Sequence, residues 1–202
     1  MNTPLAPRSN LLPERWDFSV PASGTIVLVC PREMNATVMT VISRTFPRVI
    51  DCGNRFNAYT LARLVHAEAS ATHVAETADG GMQPPRSAEV MDRISVARAF
   101  TCHQVLALLA DAPTTAQPFV VLDLLNTFYD EAIRLGERML LLRGCIEQLR
   151  RLERSAGGLV SVHPPAVPSQ AALDLLSVLE RAVPQTYYAQ PPAPLVEQMR
   201  LI

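Results

Sequence analysis

The run Cys30-Pro31-Arg32-Glu33-Met34-Asn35-Ala36-Thr37 follows an apolar strand-like stretch and stands where a phosphate-binding loop would lead into a helix. The pattern for such a loop is G-x-x-x-x-G-K-[ST]. Its glycines let backbone N–H groups close around phosphates, its Lys neutralises their charge, and its Ser/Thr hydroxyl meets Mg²⁺. Only Thr37 matches; Cys30 and Asn35 take the glycine positions and Ala36 takes the Lys position. Binding here would rest on Thr37 and on the dipole of the following helix.

Composition narrows the chemistry further. All 18 basic residues among the 202 are Arg, so phosphate-loop, Schiff-base and general-base Lys chemistry is excluded. The net charge of −1 and pI near 6.4 give no overall attraction to nucleic acid or anionic membrane. Cysteines 30, 52, 102 and 145 form no C-x-x-C pair and read as reduced core thiols. Histidines 66, 73, 103 and 163 lack metal-ligand spacing. No apolar run approaches the roughly 18 residues of a membrane span, and the N-terminus lacks a signal-peptide centre, so a cytoplasmic protein without a membrane partner is expected.

The elements that must position these residues alternate. Strands are predicted at 25–29, 48–51, 94–100, 119–125 (with Asp123 at its end), 159–162 and 186–189. Helices are predicted at 37–45, 59–69, 103–109, 130–155 and 170–182. The 130–155 helix carries Leu135, Met139, Leu142, Ile146, Leu149 and Leu152 as its apolar stripe and Gly157-Gly158 as its C-cap. Residues 70–87 are rich in Gly, Pro, Ser and Thr and read as a surface loop. The spacings are too long for hairpins and imply parallel βαβ units, an α/β three-layer sandwich with helices on both faces of a mainly parallel sheet. Ligands of such sheets bind beyond the carboxyl ends of the strands. The expected organisation is an extended arm at 1–23, its Trp16 and Phe18 packed, a core domain at 24–190, and a tail or edge element at 191–202.

Over residues 24–190 the chain resembles the core of the RecA/RadA recombinase superfamily. RVIDCGNRFNAYTLARL is similar to the family's second strand and helix. ISVARAFTCHQVLALL, with Ala97-Arg98-Ala99 and His103-Gln104, resembles the third strand and its run of A-R-A and H-Q residues, and FVVLD resembles a Walker B strand. The resemblance implies an Mg²⁺ site at Asp123 and Thr37, interaction or sensor roles for Arg98, His103 and Gln104, and a γ-phosphate sensor position at His163. It also places the first DNA-binding loop and its helix around Arg134 and Arg138. Two departures stand out: Ala36 replaces the Lys, and Gly53 falls where the catalytic Glu is expected. Phosphoryl transfer needs both the cation and the water-orienting group.

Each of these residues also has a structural reading. Asp123 and Asp51 can cap turns, Arg98 can pair with a neighbouring acid, and His103 and Gln104 can satisfy a helix start. His163 can be a loop histidine. The arginines of 134–154 alternate with Glu131, Glu137, Glu147 and Glu153 as on a solvated helix face. The resulting expectation is a non-hydrolysing RecA/RadA-like paralogue, with no cofactor or weakly bound ATP and Mg²⁺, acting as an accessory subunit in recombination or repair. Its partner would be a recombinase-like subunit or a second copy, with DNA reached through the assembly. The alternatives are a weak ATPase using Arg32 or a partner's arginine, and a nucleotide-sensing regulator without DNA contact.

Overall fold

Seven strands, all parallel, form one sheet in the order β1-β7-β2-β6-β5-β3-β4. They are β1 (Asn10–Leu11), β2 (Thr25–Val29), β3 (Arg48–Asp51), β4 (Ser95–Arg98), β5 (Phe119–Leu122), β6 (Gly158–Val162) and β7 (Gln185–Tyr188). The computed structural model describes residues 10–11, 20–76, 92–165 and 167–189, with the backbone alone at 10–11 and 68–76.

Strands β2, β5 and β6 are buried along their whole length, because helices cover both faces of the sheet. The period-two alternation of their side chains divides the core in two. Ile26, Leu28, Val49, Val120, Leu122 and Leu159 face one layer, built from α1 (Asn35–Thr45) and α2 (Ala58–Glu76) through Val38, Met39, Ile42, Leu61 and Val65. Val27, Val29, Ile50, Val121, Val160 and Val162 face the other. That layer comprises α3 (Cys102–Asp111), α4 (Leu135–Leu152) and α5 (Gln170–Ala182), contributing Val105, Leu109, Leu142, Ile146, Leu149, Leu175 and Leu179. The expected three-layer α/β sandwich is present, and right-handed crossovers account for the segregation. Connections that step from β2 towards β4 put helices on one face, and those that step back put them on the other.

Several boundaries differ from expectation for local reasons. Helix α2 continues through 70–76, where no Gly or Pro interrupts Ala- and Glu-containing sequence; residues 77–87 of the expected loop lie outside the described residues. The expected 130–155 helix starts only at Leu135. Ahead of it, Asn126–Tyr129 forms a 3₁₀ turn and the Asp130 carboxylate accepts from the Ala132 N–H, a side-chain turn that competes with helix. Gly157-Gly158 is no C-cap, since Gly158 is the first residue of β6. A Cβ at Gly157 would lie 1.5 Å from the carbonyl oxygen of Pro21, and one at Gly158 would lie 2.1 Å from the Phe119 ring. Both glycines are there for close packing.

Arg151 closes the α3–α4 layer. One guanidinium nitrogen donates to the carbonyls of Leu109, Ala110 and Ala112 at 2.8, 3.1 and 2.9 Å, another to Thr114 Oγ1 at 2.7 Å, so one side chain caps the end of α3. At the outer edge β1 pairs with β7, Asn10 opposite Tyr187; the expected packing of Trp16 and Phe18 lies outside the described residues, as does the tail at 191–202. Among the described residues no helix is long and apolar enough to cross a membrane.

Two glycines provide a matched test of the packing. Gly158→Val should lower unfolding stability by about 1–3 kcal/mol by displacing the Phe119 ring. Gly136→Ala, with nothing within 4 Å of the added carbon, should raise it by about 0.5–1 kcal/mol. A urea midpoint that Gly158→Val leaves unchanged or raises would contradict the close Gly158–Phe119 contact.

Candidate functional site

The carboxyl ends of β2, β6, β5 and β3 lie side by side, and each ends on a chemically capable residue: Cys30, His163, Asp123 and Asp51. The chain leaves β2 and β3 towards one helical layer and leaves β6 and β5 towards the other. The connections therefore reverse between β2 and β6 and between β5 and β3, the positions at which ligands of such sheets bind.

Asp123 is the centre of the arrangement. Its backbone turns into the left-handed region at φ 55°, which ends β5 at Leu122 and folds the carboxylate back under the strand ends. Its N–H donates to Ser161 Oγ at 2.9 Å and its Oδ1 accepts from the His163 N–H at 3.1 Å, so β5 and β6 are tied together at the acid. Oδ2 faces the Arg55 guanidinium, with Nε at 3.5 Å. Tyr129 O–H donates to the His163 carbonyl, and the His163 Nδ1 lies 3.9 Å from Cys30 Sγ. Asp123, His163 and Cys30 are almost wholly buried. Asp123 Oδ2, Arg55 Nε and His163 Nε2 are buried without a hydrogen-bond partner among the described residues.

Residues 52–57, between β3 and α2, close over this acid. Asp51 accepts from the N–H groups of Arg55 and Phe56 at 2.8 and 3.0 Å, one on each carboxylate oxygen, so it organises the turn through its backbone. Asn126 donates to the Cys52 carbonyl, Asn35 to the Arg55 carbonyl at 3.0 Å, and Arg98 to the Phe56 carbonyl. Gly53, the expected catalytic position, lies directly against the acid: a Cβ there would be 2.4 Å from Asp123 Oδ2. No side chain, and so no water-orienting Glu, fits at this position with Asp123 where it stands.

The run after β2 is wound tight. Pro31 has no N–H to offer, Arg32–Met34 forms a 3₁₀ turn, and the N–H groups of Met34 and Asn35 donate to the carbonyls of Pro31 and Arg32. Arg32 and Ala36 are exposed and Thr37 is half-buried in the first turn of α1. ATP with Mg²⁺ therefore does not fit the residues present. Pro31 offers no amide, those of Met34 and Asn35 are bonded within the turn, Ala36 stands where the cation would be, and the free oxygen of the acid already faces Arg55.

Arg98, His103, Gln104 and Arg138 each have a partner within the chain. Arg98 pairs with Asp51 at 3.4 Å. Gln104 and Thr101 form a reciprocal cap on α3, the Thr101 hydroxyl accepting from the Gln104 N–H and the Gln104 side chain accepting from the Phe100 N–H. His103 meets Glu137 of α4 at 3.1 Å on the surface. Arg134 is exposed, but Arg138 is buried and donates to the Phe128 carbonyl at 3.0 Å, so it is turned away from any DNA that α4 would meet. Sequence reasoning missed Arg55 as the partner of Asp123. Its place just after β3 marks Arg55 as a strand-end residue, but no local pattern links it to Asp123.

Protonation follows burial. Desolvation pushes the Cys30 thiol up to about 12, with Asp123 adding to it, so it is no nucleophile at neutral pH. Burial, aided by Arg55 and Arg32 against the opposing pull of Asp123, holds His163 below its ordinary 6.5. A histidine that binds its proton less well when folded contributes no penalty above 6.5. It costs stability as the pH falls from 6.5 towards the folded value, because the unfolded chain takes up the proton first. The melting temperature of the wild type minus that of His163→Gln should therefore shrink as the pH is lowered below 6.5; a difference independent of pH would rule out a neutral, desolvated His163. No family model and no curated protein matches the chain.

Proposed function

We propose that the chain is a RecA/RadA-like paralogue that neither hydrolyses ATP nor depends on it, and that it acts as an accessory subunit in DNA recombination or repair, its partner a recombinase-like subunit. The observation that carries the first half is the closed turn after β2, in which Pro31 and the internally bonded amides of Met34 and Asn35 leave no cradle for phosphates. The Arg55–Asp123 pair and the filled space at Gly53 point the same way. The second half draws on the resemblance of 24–190 and on the surface. Strand β4 is an exposed sheet edge, and Tyr59 and Phe100, near the ends of the Arg98–Phe56 link, are each more than 70% exposed. The weak-ATPase reading would need Arg32 to serve phosphates across a turn whose Met34 and Asn35 amides are already bonded.

Purified protein should show ATP turnover at background and no melting shift with Mg²⁺-ATP. Turnover that survives stringent purification and disappears in Asp123→Ala would sink the non-hydrolysing reading. Capture from the native host should recover a recombinase-like ATPase. Recovery of unrelated proteins alone would sink the accessory role.

A further inference from the structure

We propose that Arg55 is a resident cation: it takes the place of a divalent metal ion at Asp123 and completes the carboxyl edge of the sheet. This deepens the proposed function and rests on it for the identity of the ion replaced.

The geometry is that of a built position. The Arg55 backbone is fixed at both ends of the residue, its N–H on Asp51 Oδ1 at 2.8 Å and its carbonyl under Asn35 Nδ2 at 3.0 Å. Nε then stands 3.5 Å from Asp123 Oδ2, the one of the two Asp123 oxygens that accepts no hydrogen bond among the described residues. Gly53 lets the same turn lie against that oxygen from another side. The loop therefore delivers the charge and excludes bulk from the acid in one conformation. A carboxylate that is 1% exposed needs a counter-charge, and the guanidinium supplies it without a ligand.

The charges also balance. Asp51 and Asp123, both buried, are paired with Arg98 and Arg55 respectively, and Arg32 adds positive potential at His163. A divalent ion at Asp123 would meet guanidinium repulsion.

The test is a double-mutant cycle read by melting temperature and by Mn²⁺ binding in electron paramagnetic resonance. Wild type should bind no Mn²⁺ at Asp123, and millimolar Mn²⁺ should leave its melting unchanged. Arg55→Met should melt about 5–10 °C lower. Millimolar Mn²⁺ should recover part of that loss, and the recovery should vanish in Arg55→Met/Asp123→Asn, which should regain stability without metal. Four results would each overturn the proposal: Mn²⁺ binding by wild type that Asp123→Asn abolishes, an Arg55→Met protein as stable as wild type, an Arg55→Met protein that Mn²⁺ does not stabilise, or a double variant no more stable than Arg55→Met. If Arg55→Met does not fold, wild-type Mn²⁺ binding compared with that of Asp123→Asn decides the question alone. ATP turnover bears on the non-hydrolysing function and the cycle bears on Arg55, so the two can fail separately.

Discussion

A carboxylate that ends a buried strand cannot be left without a compensating charge, and the carboxyl edge of this sheet is arranged around two of them. Asp123 and Asp51 are each about 1% exposed, and each has its own arginine and its own set of backbone donors. The cost of burying these charges is offset locally by the turn at 52–57 for both acids, with β6 adding the His163 amide to Asp123. The turn takes its conformation from Asp51 and gives its arginine to Asp123. Asn54 in the left-handed region at φ 54° and Gly53 without a side chain let the chain make that passage.

Arginine suits this role in a way that lysine would not. A planar guanidinium can reach several acceptors at once, as Arg151 does when it spans three carbonyls and a hydroxyl. Arg98 joins a carboxylate to a backbone carbonyl, and Arg138 enters the core to hold the turn after β5. In a chain without lysine the cations form cross-links of the fold as well as a solvated surface.

The sheet was legible in the sequence because β-branched runs such as TIVLV and FVVL tolerate burial on both faces and little else explains them. Helix α5 is bounded as expected, 170–182, because Ser169 is a strong N-cap and the amphipathic pattern is regular. What local sequence does not encode is contact across the chain. The glycines at 157 and 158 looked like a helix stop, yet their neighbours are Pro21 and Phe119, far away in sequence. Arg138 sits on a helix of alternating charge and looked solvated, although its position on the inner face sends it to Phe128. At the site, Asp123 and His163 were found because each ends a strand. Arg55 was not, because its partner lies 68 positions further on and nothing in the spacing joins them.

The turn at 52–57 is fastened to α1 through Asn35, to β4 through Arg98, to β5 through Asp123 and to the segment after β5 through Asn126. Loops at the carboxyl edge of such sheets are where a fold ordinarily keeps two arrangements in reserve, one with ligand and one without. Riveted at four points, this one cannot shift without breaking several contacts at once. A ligand that drew the turn elsewhere would have to bind the new arrangement better by more than all of these contacts together.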